Sequence, residues 1–433
     1  MDPLHTLVLL GIFVILLGLG VPIAVGIGLA SLGALLLAIG PGIAVTTAAQ
    51  RIATGIDRFT LLAIPFFILS GLFMNRGGIA RRLIDLARAM VGMLPGGLAY
   101  VNIVAGMLFG AISGSAAAAV AAVGGFMIPR MRDQGYDTSF SAAVSVSSAT
   151  MSLVIPPSNI LIVYSLASGG VSIAALFVAG YLPGILVGLL LMAVAGTIAR
   201  RRAYPVDVRV RVAELGRRLV AALPGLFMIV IVIGGIVAGY FTATEGGAIA
   251  VLYSFVLAVI VYREVRLADV PRVLVDAATT TSIVLLLVGT SMALSFVLAY
   301  ERIPDAIQQW FIALGAGRVV TLLAINAILL VAGTVLDITP AVLIFAPMLL
   351  PIVEPLGVDP IHFGIIMVLN LCIGLCTPPV GSVLFLGCSV SGAPITAVSR
   401  ALLPLYVVMI AALLLVTLLP EISLALPRWF RMV

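Results

Sequence analysis

The chain is 433 residues long, 63% hydrophobic and only 9% charged, where soluble domains run at roughly 45 to 50% and about 25%. That balance excludes a soluble globular protein and predicts an all-α, polytopic membrane protein seated in a lipid bilayer. The net charge of +6 comes from 23 Arg and no Lys, scattered over loops rather than gathered on one face, so lipid headgroups account for it and no nucleic acid partner is expected.

Apolar stretches of about 18 or more residues recur from Leu4 to Leu419, each long enough for a core that takes about 20 helical residues. The first carries Asp2 and neither a basic flank nor a small-residue cleavage site, so it is expected to stay as a helix. Spans are predicted over 4–20 and 22–39, an interfacial piece over 43–58, a third span over 60–76 and an arm over 78–92. In the arm Ile79, Leu83, Leu86 and Met90 fall at i, i+4, i+7 and i+11, the stripe of a helix lying along the membrane surface. The next apolar run, 97–130, is interrupted at its centre by Ser113-Gly114-Ser115. Limbs of about 15 residues are short for a crossing, which predicts a re-entrant hairpin whose tip stops near the midplane. A span over 138–165, broken at Ile155-Pro156-Pro157-Ser158-Asn159, and a final span over 174–199 complete a first unit, 1–199.

An Arg-rich linker, 200–218, leads to a second unit, 219–420, and a tail, 421–433. The double proline recurs 222 positions later in Thr377-Pro378-Pro379-Val380-Gly381-Ser382. With a shift of 222 to 224, Asn102 pairs with Asn326, Gly110 with Gly333, Pro129 with Pro351, and Gly135 and Asp137 with Gly357 and Asp359. Ile303, Ile307, Trp310 and Leu314 repeat the amphipathic stripe. Residues 318–351 repeat the hairpin, with a tip running from Thr334 through Asp337 to Thr339, and 361–388 repeat the broken span. An ordered series of this kind marks a duplicated unit. Five crossings per unit is an odd number, so the second copy is expected to be inverted. With the linker in the cytoplasm, 17 of the 23 Arg fall inside and 6 outside, as the positive-inside rule favours. Both termini then face outward.

Interrupted backbone is tolerated at membrane depth only where protein or a wet cavity surrounds it, so four interruptions in matched halves imply one buried aqueous site. Carbonyl-rich helix ends there favour a small cation such as sodium, and amide-rich ends favour an anion. No basic residue falls near the centre of a span, so an anionic substrate would lean on those amides and on bound cations. Ser113, Ser115, Ser158 and Asn159 are either helix caps and interhelical glue or ligands, and the second set in register favours ligands. Asp337, an acid near mid-membrane, is a functional candidate with helix capping as its alternative. Thr244 is expected to cap a restarting helix, with Glu245 in its first turn. Cys372 and Cys376 are expected to be packing residues. Together with Cys388, His5 and His362 they offer no zinc or redox spacing, so no cofactor and no metal other than sodium is expected.

Several stretches resemble the large membrane subunit of tripartite ATP-independent periplasmic (TRAP) transporters, the DctM-like permeases. They are AIPFFILSGLFMNRGGIARRLIDLARAMVG, MLFGAISGSAAAAVAA, VIPPSNILIVYSLASG, GYFTATEGGAIA and GTVLDITPAVLIFAPMLLPI, in the family's order, and the resemblance covers nearly the whole chain. The resemblance implies a bacterial inner-membrane permease for sodium-driven uptake of a small carboxylate. A soluble periplasmic binding protein would deliver the substrate, with a small four-helix membrane subunit as companion. It also implies an elevator, in which hairpins and broken helices slide as a transport domain against a scaffold of the remaining helices. Family sodium sites lie between each hairpin tip and its broken helix, here Ser113, Gly114, Ser115, Pro156, Ser158 and Asn159, then Thr334, Asp337, Thr339, Thr377, Pro379 and Gly381. Ser115, Asn159, Thr339 and Ser382 are the implied substrate contacts. Two positions depart from the family pattern: Ala116 to Ala119 stand where an acid often follows the first tip, and Ala243 stands where a proline precedes the Thr-Glu pair.

Other readings are a stand-alone sodium/dicarboxylate carrier, an exporter of related fold, and, from another class, an intramembrane serine protease with Ser113 as nucleophile and His362 as base. Such a dyad must lie within hydrogen-bond reach, whereas the predicted topology puts these residues on opposite faces. No enzymatic activity is expected.

Overall fold

The computed structural model describes residues 3–205, 212–313 and 317–432, and every regular element among them is helical. Helices α1 (Pro3–Gly18), α2 (Ile23–Ile39) and α3 (Pro41–Ile56) lead to α4 (Ala63–Arg76) and the arm α5 (Ile79–Val91). The first interrupted run forms α6 (Gly97–Ser113), α7 (Ala116–Ala119), a π-helical segment (Val120–Gly124) and α8 (Gly125–Asp133). The first broken span forms α9 (Thr138–Met151) and α10 (Asn159–Ala167), followed by α11 (Ile173–Arg201). Then come α12 (Val212–Val237), α13 (Ala243–Phe255), α14 (Val270–Tyr300), α15 (Ile303–Ala313), α16 (Arg318–Val335), α17 (Ile338–Val353), α18 (Pro360–Leu375), α19 (Ser382–Ser391), α20 (Ile395–Leu418) and α21 (Glu421–Trp429). Eight helices among the described residues are long and apolar enough to cross a membrane, and the α9–α10 pair, bent by 47°, is a ninth candidate.

Several expectations change. The limbs of the second hairpin, Arg318–Val335 and Ile338–Leu356, are each long enough to cross, so length alone does not make that hairpin re-entrant. The 200–218 linker shrinks from both ends, because α11 continues through Arg201 and α12 starts at Val212; the intervening 206–211 lie outside the described residues. Tyr204 stacks on Tyr136 at 4.1 Å, and Arg218 donates to the Asp85 carbonyl at 3.3 Å, tying the linker's two ends to the neighbouring helices. The tail is the packed helix α21, whose Ser423, Leu424 and Pro427 are buried. Met90 is 54% exposed in the last turn of α5, whereas Ile79, Leu83 and Leu86 of the same stripe are buried. The side chain of Trp310, and Leu314 altogether, lie outside the described residues.

Thr242, not Thr244, caps α13. Its hydroxyl accepts from the Glu245 amide at 3.3 Å, while Glu245 Oε2 accepts from the Thr242 amide at 2.7 Å, a reciprocal capping box. Glu245 stands three residues after Thr242, the spacing such a box requires, and Thr244 points into the core. Ala243 then occupies the first helical position, where proline is tolerated because its missing N–H has no partner to lose. Thr242→Ala is expected to lower stability by about 1 kcal/mol, read as a lower unfolding temperature in detergent, with Thr242→Ser close to unchanged.

The centre of the molecule is built from the first limbs of the two broken spans, both almost wholly buried. Buried hydroxyls in α9 are satisfied within their own helix: Ser145 donates to the Ser141 carbonyl at 3.0 Å, Ser147 to Val144 at 3.1 Å and Thr150 to Ser147 at 3.0 Å, which removes the cost of leaving them unpaired. Small residues let helices approach to backbone distance. A Cβ on Gly110 of α6 would stand 1.7 Å from Ser152 Oγ, just before the first break, and one on Gly374 of α18 would stand 2.5 Å from the Gly333 carbonyl carbon of α16, just before the second. Elements from the two halves also interlock, with Tyr164 of α10 donating to the Pro360 carbonyl at 2.6 Å and its ring covering Gly364 of α18.

Candidate substrate and ion site at the helix breaks

Both hairpin tips and both broken spans present their interruptions to one cavity of about 500 Å³. The first tip turns through Gly114 in the left-handed region, φ 62°, a conformation open to glycine and strained for other residues. Gly114 lies directly under Asn159, whose Nδ2 would stand 2.8 Å from an added Cβ. On either side, Ser113 Oγ accepts from the Ser115 amide at 3.4 Å, and Ser115 Oγ caps α7 by accepting from the Ala118 amide at 3.2 Å. At the other tip Asp337 occupies the N-cap position of α17, yet its carboxylate makes no cap bond and instead accepts from Ser382 Oγ, at the head of α19, at 3.4 Å. The carboxylate also sits against the Ile338 amide at the start of α17, and it lines the cavity.

Of the residues expected at the site, Ser113, Gly114, Ser115, Asn159, Asp337, Thr339 and Ser382 line this cavity. Pro156, Ser158, Thr334, Thr377, Pro379 and Gly381 do not. They build the breaks: the Pro156-Pro157 and Pro378-Pro379 bonds are both cis, Ser158 donates to the Leu153 carbonyl, and Thr377 donates to the Ile373 carbonyl at 2.7 Å. The Val380 amide bonds to the Thr334 carbonyl at 3.2 Å, holding the second tip against its broken span. Gly381 sits over the Thr377 carbonyl, 2.8 Å from where a Cβ would be.

Sequence reasoning missed the opposite wall. It comes from α4, through Gly71 and Asn75 among others, and from α14, through Thr280 and Ile283. Gly71 sits 2.7 Å, measured from an added Cβ, from the Ser113 carbonyl, so α4 touches the first tip directly. The only polar signals were Asn75, near the end of α4, and Thr280, within α14, which read equally well as ordinary helix-surface positions.

Asp337 is the one ionisable side chain among the described residues lining the cavity. His362 is not near it in function: buried in α18, its Nδ1 pairs with Ser423 Oγ of α21 at 2.7 Å. Cys372 and Cys376 are buried free thiols.

In overall shape the chain is similar to the solved Alcanivorax borkumensis YdaH transporter, with a TM-score of 0.62 over 91% of this chain and 89% of that one, at 14% identity. Crossing-length helices arranged around a cavity at helix breaks define the class as a polytopic helical membrane protein. Residues 10–422 match the family described as the tripartite ATP-independent periplasmic transporter, DctM component. The chain belongs to that family, as a large permease subunit and not an enzyme. It is 52% identical over 424 residues to YgiK of Salmonella typhimurium, covering 98% of this chain and 97% of that protein. It is 45% identical over 376 residues to the C4-dicarboxylate TRAP transporter large permease protein DctM of Pseudomonas aeruginosa, covering 87% and 88%.

Proposed function

We propose that this permease imports a small organic acid together with sodium. A single observation carries the reading: the cavity holds one carboxylate, Asp337, and no basic side chain among its described lining. A carboxylate substrate entering such a space meets a like charge in a low-dielectric surround, which is prohibitive unless cations enter with it. The hydroxyls of Ser113, Ser115, Thr339 and Ser382 around the cavity are hard oxygen donors suited to sodium, and the amide-bearing starts of α10 and α19 face the same space for an anion. The relative from Pseudomonas aeruginosa, by its name, points to C4-dicarboxylates as the substrate class.

The same reading includes a duplicated, inverted pair of five-crossing units, with 1–199 and 219–420 as its copies and the Arg-rich side in the cytoplasm of a bacterial inner membrane. Hairpins and broken helices form the block that moves, and α4 and α14 belong to the fixed wall. A periplasmic binding protein delivers the substrate and a small four-helix membrane subunit completes the permease. In proteoliposomes, uptake of a C4-dicarboxylate is expected only when the small subunit, the binding protein and an inward sodium gradient are all supplied. Robust uptake by this chain alone would replace the reading with a stand-alone carrier, and uptake indifferent to sodium would remove the coupling.

A further inference from the structure

Away from the cavity, a hollow of about 310 Å³ lies between α3 and α14. Arg51 and Thr54 line it from α3, Arg58 from the extended residue just after that helix, and Met292, Ser295 and Phe296 from α14. The helices are held close at Gly55, where a Cβ would stand 2.6 Å from Met292 Cγ. The Arg51 guanidinium lies over the Phe296 ring, 4.2 Å from its centroid, a stack that orients the planar fork. Neither Arg51 nor Arg58 has a carboxylate within ion-pair distance among the described residues. Asp57, next in sequence, lies outside the lining. The carbonyl end of α3 stabilises a cation nearby, but that gives no reason for two guanidinium groups and the hydroxyls of Thr54 and Ser295 to share one hollow. Ile56, Phe59 and Leu62 beside it are 44%, 70% and 45% exposed, which sets the pair at the border between apolar surface and headgroup depth.

We propose that this hollow binds the phosphate of an anionic phospholipid headgroup. Two guanidinium forks supply charge-assisted hydrogen bonds to the phosphate oxygens, the Ser295 hydroxyl can donate a further one, the Thr54 hydroxyl being committed to the Gln50 carbonyl, and the exposed apolar residues meet the acyl chains.

The test is native mass spectrometry of the full chain released from vesicles of phosphatidylethanolamine and phosphatidylglycerol. The wild-type chain is expected to retain phosphatidylglycerol preferentially. Arg51→Gln with Arg58→Gln should reduce that retention about twenty-five-fold, the product of about fivefold for each arginine, and Phe296→Leu should reduce it less. Unfolding temperature in lipid-free detergent should be the same for all three chains, which separates loss of the site from loss of the fold. Equal retention by the double variant overturns the proposal. So does stabilisation by inorganic phosphate matching that by phosphatidylglycerol, which would make this a soluble-anion site. Unchanged lipid retention accompanied by loss of the co-purifying small subunit would make it a protein interface instead, and also overturns it.

Discussion

Asp337→Asn is expected to raise the sodium concentration needed for half-maximal uptake by at least about tenfold, with the protein still folded. The reasons are local. The carboxylate makes no full N-cap bond in α17, the asparagine side-chain oxygen can still accept from the Ile338 amide beside it, and the carboxylate's hydrogen bond from Ser382 at 3.4 Å is long. What disappears is the only ionisable group among the described lining of the cavity. An interaction with a charged group contributes about 1.5 to 3 kcal/mol against about 0.5 to 1.5 kcal/mol for a neutral one, and hard cations follow ligand charge closely. The measurement is initial uptake against sodium concentration in proteoliposomes of the assembled transporter. Ser158→Ala is the comparison: its hydroxyl is buried and bonded to the Leu153 carbonyl, and it lies outside the cavity, so a smaller shift is expected. An unchanged sodium dependence in both variants would reduce the breaks to structural features.

Gly374→Ala should prevent stable folding. Helices α16 and α18 cross at backbone contact, and a methyl on Gly374 would meet the Gly333 carbonyl carbon, Cα and carbonyl oxygen at 2.5, 2.6 and 2.7 Å. These are main-chain atoms, which cannot rotate away as a side chain would, so the two helices must separate. Overpacking of this kind costs about 1 to 3 kcal/mol where neighbours can shift, and more where the neighbour is backbone. The separation would also disturb the second break, three residues downstream. Gly125→Ala in α8 is the control, since nothing stands within 4 Å of its added Cβ. Fluorescence size-exclusion profiles and unfolding temperatures distinguish the two: a monodisperse, wild-type-like Gly374→Ala would show that the crossing has slack the structure does not reveal.

Much of the architecture was legible because membrane insertion constrains sequence so tightly. Polar interruptions such as Ser113-Gly114-Ser115 and the two double prolines stand out against an apolar background, and each marks a helix end in the structure. Cap assignment was less certain, since Thr242 and Thr244 both precede or flank Glu245 and only the three-residue spacing to Thr242 closes the box. The chain breaks at Asp57-Arg58, between α3 and α4, whereas Thr281-Ser282 stays helical within α14. Two charged residues are costly inside an apolar helix and are readily placed at its end, whereas hydroxyls return their bond to the preceding turn.

Taken by itself, the sequence determined that this is a helical membrane protein of the DctM family, where its helices stop, and which polar residues sit at the stops. Periodicity, apolar length and proline position are local properties, and the lipid phase enforces them one helix at a time. Only the tertiary structure decided which stops share a space. Asn159 meets Gly114, and Ser382 meets Asp337, through contacts between segments 45 residues apart, while Ser158, Thr334 and Thr377 spend their hydroxyls on neighbouring carbonyls. The wall from α4 and α14 likewise exists only once the helices are packed. Its residues fall at helical spacing, Ile64, Ile68, Gly71 and Asn75 on α4 and Thr280, Ile283 and Leu287 on α14, but a face against a cavity and a face against a neighbouring helix carry the same period.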